Sequence, residues 1–366
     1  MPTKEKKQKL ATFADPTYDT PFKKLFSQDT HKDVLVSLLN SLLGFTGNKT
    51  IIEASVKAKA IIKEAELTEQ DNTLSLGQNE LVNPGMGEVK STVDLLCTTK
   101  NDQKIIVEMQ KQYAPYFLAR TELYMSKIIA GQVKQGMSSR AHEVMLDTYI
   151  LCIGKDDIFK KADAIKDDVH YEKTVVPMIK ELNIEMPSNK MHWKFYELER
   201  FQRVCDNEGK SIDKDSPIKD QWLNFMLHCH EKTSVPEDVD EIIKKAYEIM
   251  KTANWPESER LRYEMEIDEE DVQQQRLEDM KAEGLAEGIA QGEAKSIAKS
   301  FRLKESDQDM LEEHTTLTPE KLSKIKGLTQ PPKSEDIFKI LVDDPNIQDL
   351  SVELSGASDM HHTGDE

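Results

Sequence analysis

No run of about 18 apolar residues, the length a helix needs to cross a bilayer, occurs anywhere in the chain. No apolar stretch follows the basic start MPTKEKKQKL either, so neither a spanning helix nor a signal peptide is expected. Cysteine is scarce: Cys97, Cys152, Cys205 and Cys229 lie far apart with no CxxC pair, which argues against a disulfide framework or a zinc ribbon. Cys97 and Cys152 stand inside apolar runs, as small buried hydrophobes do, and reduced structural thiols are expected. A GxSxG elbow and an HExxH helix are absent. GMGEVKS, Gly85 to Ser91, is not a phosphate loop, because Glu88 and Val89 break the Gly-Lys adjacency and a strand rather than a helix follows. His228, Cys229 and His230 have no second ligand pair at zinc spacing and read as packing or exposed residues. Positive charge is also short. The formal net charge of −18 argues against a protein that coats nucleic acid by bulk electrostatics, although a carboxylate site recovers local attraction through a divalent ion. An intracellular protein, cytoplasmic or nucleoid-associated, is expected.

What is present is 366 residues, 38% hydrophobic and 32% charged, too little apolar material for the whole chain to be one compact core. Residues 1–17 read as a basic, solvated tail. In DTPFKKLFSQDTHKDVLVSLLNSLLG, Val34, Leu35, Leu38, Leu39, Leu42 and Leu43 recur at helical spacing and Gly44 supplies a stop, which predicts an amphipathic helix over Asp33 to Leu43. IIEASVKAKAII fits a strand or a helix equally. The segment between Ile62 and Glu88 is rich in Asn, Gly, Gln and Pro and reads as an exposed insertion. STVDLLCTT and KIIVEMQ, separated by the turn-like Lys100 to Gln103, read as a β-hairpin. A helix is expected over Arg120 to Gln135, then strands at DTYILCIG and HWKFYEL. Strand, strand, helix, strand is the order of an α/β core. Past Phe201 the chain is helical and charged. EGLAEGIAQGEA puts Gly284, Gly288 and Gly292 four apart, consistent either with a loose exposed helix or with close helix contact, as in a homodimer. The expected organisation is a basic tail (1–17), a core domain (18–205), a helical region with the Gly-repeat helix (206–305) and a linker with an acidic, largely disordered tail (306–366).

Chemistry concentrates on the hairpin. Residues i and i+2 of a strand share a face, so Glu108 and Gln110 project together, and Asp94 on the other strand lies toward the same end. A single acid in a strand usually faces solvent. Here Asp94 is followed by Leu95, Leu96 and Cys97, and Glu108 is preceded by Ile105, Ile106 and Val107, where an unpaired carboxylate is costly. Two carboxylates and an amide oxygen suit Mg²⁺ or Mn²⁺.

The blocks DTPFKKLFSQDTHKDVLVSLLNSLLG, VDLLCTTKNDQKIIVEMQ, ARTELYMSKIIAGQVKQG, YILCIGKDDIF and FYELERF, in that order, resemble those of the recombination-promoting nuclease and putative transposase family, as does the Glu-Gly repeat. The resemblance covers roughly half the chain and is most specific from Asp94 through VEMQ. It implies a PD-(D/E)XK, restriction-endonuclease-like core with a mixed sheet flanked by helices. Asp94 and Glu108 would be metal ligands, Gln110 would stand where the motif has Lys, and Arg120 and Tyr124 would contact substrate or support the site. The implied activity is Mg²⁺- or Mn²⁺-dependent endonucleolytic hydrolysis of DNA, tied to recombination or mobile-element movement. Gln110 can neither act as a base nor carry charge. Lys127 is one candidate substitute for the missing Lys, Glu53 one candidate for a further acid, and a non-catalytic binding or assembly protein on the same fold is the alternative.

Overall fold

The computed structural model describes residues 11–62, 91–132, 143, 145–159, 168–303, 305–314, 316–328 and 331–342. The expected insertion between Ile62 and Glu88 lies outside the described residues from position 63 on. The chain divides into two compact units, Met1–Glu266 and Ile267–Glu366.

The first unit is built on a six-stranded mixed sheet, β1 (Ala54–Ile62), β2 (Ser91–Thr99), β3 (Lys104–Gln110), β4 (Thr148–Gly154), β5 (Glu172–Val175) and β8 (Met191–Glu197), in the order β1-β2-β3-β4-β8-β5. A small ribbon of β6 (Met178–Ile179) and β7 (Ile184–Glu185) stands apart from it. Strands β1, β2 and β3 are antiparallel neighbours, β3, β4 and β8 run parallel, and β5 closes the far edge antiparallel to β8. Every residue of β4 is buried. That explains its unbroken apolar sequence TYILCIG: a central parallel strand is covered on both faces and has no polar alternation. The IIEASVKAKAII ambiguity resolves as strand from Ala54.

One sheet face is covered by α3 (Phe117–Gly131), which sets Phe117, Tyr124, Met125 and Ile128 against Ile106, Ile150, Cys152, Trp193 and Phe195. The helix ends at Gly131 rather than running to Gln135. On the other side α1 (Asp19–Phe26) and α2 (Lys32–Leu43) pack. In α2 the buried residues are Val34, Leu35, Leu38, Leu39 and Leu42, the stripe read from the sequence except Leu43, which is half-buried, and Gly44 ends it at φ 68°, a backbone conformation that favours glycine. The Tyr196 hydroxyl donates to the Leu42 carbonyl at 2.6 Å and so ties this helix to β8.

Further helices, α4 (Leu198–Glu208), α5 (Ile218–His228) and α6 (Glu241–Met250), belong to the same unit. Trp222 of α5 is fully buried and donates to Ser37 Oγ at 3.1 Å, so the core does not stop at residue 205. The start of the chain also differs from the solvated tail expected of residues 1–17. Phe13 and Ala14 are fully buried, Phe13 bridges Lys251, and Ala14 N–H donates to the Met250 carbonyl at 2.9 Å. Residues 1–10 lie outside the described residues. The reason is that basic residues fill only the first nine positions, whereas ATFADP offers apolar surface and backbone donors to α6.

Helix α7 spans Glu257–Leu303. In the second unit Ala286, Ala290, Ala294, Ile297 and Ala298 bury themselves with Met310 of α8 (Asp307–Glu313), Leu322 and Ile325 of α9 (Pro319–Lys326), and Ile337 and Leu341 of α10 (Ser334–Leu341). Residues 306–342, expected as linker and polar tail, are therefore largely helical. Their caps explain why: the Ser306 and Thr318 side chains accept from Asp309 and Lys321 N–H groups, and Pro319 opens α9. Residues 343–366 lie outside the described residues. The small-residue face that packs is the alanine one. A Cβ built on Gly284, Gly288 or Gly292 meets nothing within 4 Å.

Candidate active site

The hairpin closes where Thr99 N–H donates to the Gln103 carbonyl at 3.0 Å and Asp102 takes φ 59°, a value short polar side chains tolerate. From that turn the β2–β3 ladder runs through Thr98↔Lys104 to Leu95↔Val107 and ends there. Strand β2 stays paired to β1 as far as Ser91↔Ile62. The hairpin therefore opens at Asp94 and Glu108, and carboxylates replace the missing carbonyl partners. Asp94 N–H donates to Glu108 Oε1 at 3.1 Å, and Met109 N–H donates to Asp94 Oδ2 at 2.9 Å. Each acid is thus fixed to the opposite strand through one oxygen, which leaves its second oxygen outside these bonds.

The environment resists two charges. Burial, and after it the Asp94 charge, pushes Glu108 up to about 8, and burial likewise raises Asp94, against the opposing Met109 N–H bond and the Lys23 charge. The neighbouring Cys152, register partner of Glu108 on β4, is a fully buried thiol that burial keeps protonated. Tyr124 on α3 is also raised, by burial first and then by the Glu108 charge.

The Gln110 amide is engaged at both ends. Its Oε1 accepts from Arg120 at 2.9 Å and its Nε2 donates to the Gln112 carbonyl at 2.7 Å. The amide orients Arg120, whose charge favours ionisation of both carboxylates. Lys127 is one turn past Tyr124 on α3, and the cations acting most strongly on the pair are Lys23 and Arg120. Glu53 is at the wrong end of the sheet. It precedes Ala54, the partner of Thr99 beside the turn, five residues and about 17 Å along β2 from Asp94.

Two residues at this centre had no signal in the sequence. Asp19 and Lys23 on α1 form an i,i+4 ion pair, and both act on Asp94. An acid and a lysine four apart are ordinary on any solvated helix; only the docking of α1 beside β2 gives them a place at the site.

The residues present fit a hard divalent cation. Two carboxylates are held side by side in a buried setting that disfavours their double charge, and oxygen donors match the preference of Mg²⁺ and Mn²⁺. Among the described residues no three His, Cys, Asp or Glu side chains are grouped as a complete protein cage, so water and substrate oxygens would supply the remaining positions. His228 is engaged by Glu231 and Gln202, and Cys229 is buried, in keeping with the packing reading of that segment.

The family described as PD-(D/E)XK nuclease family transposase matches residues 65–279, more than half of the chain. No curated protein and no solved structure matches it.

Proposed function

The chain belongs to the PD-(D/E)XK nuclease family transposases, and from that premise we propose that it is a divalent-metal-dependent endonuclease acting on DNA in recombination or mobile-element movement. The observation that carries the reading is the opened hairpin, with Asp94 and Glu108 each bonded to the facing strand and both disfavoured as charges. A buried like-charged pair of this kind is the arrangement expected of a cation site rather than of a structural contact.

Asp94 and Glu108 would hold Mg²⁺ or Mn²⁺. When bound, the ion supplies Lewis-acid polarisation of the scissile phosphate and a lowered pKa for an attacking water. The chain's own residues supply the rest. Arg120, aimed by Gln110, presents a guanidinium for the phosphate, and Lys23 adds an ammonium next to Asp94 in place of the lysine that position 110 lacks. Tyr124, buried on α3, would support the site from the helix that carries Arg120. A homodimer, joined through the open glycine face of α7, would bring two such centres to the two strands of a duplex.

The test is incubation of the purified protein with supercoiled plasmid and Mg²⁺ or Mn²⁺, with calorimetric titration of the same ions. Cleavage and ion binding that both disappear in Asp94→Ala and Glu108→Ala are expected. Cleavage that survives either substitution refutes the assignment. Ion binding without cleavage in the wild type supports the alternative, a binding or assembly protein on the nuclease fold.

A further inference from the structure

The helix that brings Asp19 and Lys23 to the carboxylate pair is short and has no cap of its own. α1 spans eight residues, and its N-cap position is Tyr18, whose side chain makes no capping bond. An uncapped first turn leaves backbone N–H groups without partners and frays readily. The missing acceptor comes from 246 positions away. Both oxygens of Glu266 on α7 accept from Thr20 N–H, at 3.2 and 3.1 Å, and Oε1 also accepts from Thr20 Oγ1 at 2.6 Å. A carboxylate at a helix N-terminus is favoured by the helix dipole as well as by these bonds.

Glu266 does not act alone. Tyr263, three residues earlier, accepts from Asp15 N–H at 2.9 Å and sets its ring edge-on to Tyr18 at 5.3 Å, and Glu259, four residues before that, pairs with Lys24. Residues 259, 263 and 266 share one face of a helix. That face grips the segment from Asp15 to Lys24, which includes the Asp19–Lys23 pair, and α1 packs against β2, the strand that carries Asp94.

We propose that Glu266 is a positioning residue for the nuclease centre: by capping α1 it fixes the Asp19–Lys23 pair against Asp94, so that the site is complete only while this face of α7 is docked. The inference rests on the nuclease reading. It assigns Glu266 no contact with substrate, only the placement of α1.

The experiment uses the full chain, supercoiled plasmid and Mg²⁺. Glu266→Ala is expected to lower kcat about tenfold or more with KM within about twofold, as loss of alignment rather than of binding does. Glu266→Gln, which still accepts through Oε1, is expected to restore most of it. Amide exchange should quicken over residues 19–23 while α2 keeps its protection. Wild-type kcat in Glu266→Ala, or a fall in kcat that only tracks a fall in folded protein, overturns the proposal. If that variant does not fold, Thr20→Val, which removes only the hydroxyl bond, carries the test: a lowered kcat at unchanged KM supports the clamp, and an unchanged kcat overturns it. A wild-type protein that cleaves nothing and binds no ion instead overturns the nuclease reading itself, which keeps the two failures apart.

Discussion

Replacing Glu108 by Gln is expected to make the metal-free protein more stable at alkaline pH while it removes ion binding. In the folded chain Glu108 titrates at about 8 instead of 4.5, because it is buried and faces Asp94. A carboxyl whose pKa is raised on folding holds its proton more tightly in the native state. Its contribution is therefore fully favourable below about 4.5 and is lost progressively as pH rises to about 8. At about 1.4 kcal/mol per unit, the raised pKa removes roughly 4–5 kcal/mol of stability near pH 8.5, and about 1 kcal/mol near pH 5.5, where only the unfolded chain has ionised Glu108. Glutamine keeps an oxygen to accept from Asp94 N–H, as Glu108 Oε1 does, but never ionises. Urea unfolding in the presence of a chelator, followed by circular dichroism, should show Glu108→Gln above wild type by about 2–4 kcal/mol near pH 8.5, shrinking toward about 1 kcal/mol near pH 5.5. Millimolar Mg²⁺ should then raise the wild type and leave the variant where it was. A stability difference that does not change with pH, or a variant less stable than wild type at pH 8.5, would refute the reasoning.

Gln110→Lys, which installs the residue of the superfamily motif, is expected to lower cleavage severalfold. A lysine there loses the acceptor for Arg120 and repels that guanidinium, so an activity gain in the plasmid assay would show that Lys23 does not fill the lysine's place. Gly288→Leu is expected to turn a wild-type dimer into a monomer in sedimentation at micromolar concentration without loss of helical signal, since the added side chain meets nothing within 4 Å of its Cβ in its own chain. A monomeric wild type, or a variant that still sediments as a dimer, rules out the glycine face as the contact.

The pairing of Asp94 with Glu108 across the hairpin was legible from their flanks. Leu95 and Val107 are fully buried, and an acid next to such residues has to be held for a reason. Helix α2 was legible from its leucine stripe, and β4 from its unbroken apolar run. The direction of the Gln110 amide was not, because strand parity fixes a side chain's face and not its partner. The place of Asp19 and Lys23 was hidden because an i,i+4 ion pair has the same sequence whether its helix faces solvent or docks on a sheet. In the C-terminal region glycine drew attention for its rarity in helices, yet it is Ala286, Ala290 and Ala294, unremarkable as residues, that are buried there.

The joining of distant segments in the first unit also has a meaning in time. Phe13 and Thr20 are translated well over 200 residues before their partners, since Phe13 bridges Lys251 and the cap for Thr20 is Glu266. Until those later residues emerge, the first helix lacks its anchor and the ammonium of Lys23 has no fixed place. A polypeptide released early, from a broken message or a premature stop before residue 266, would carry both hairpin acids and still lack a finished centre. Under the proposed function, sequence-distant closure of this kind works as a check on the gene product: only a chain translated through residue 266 carries the clamp on α1.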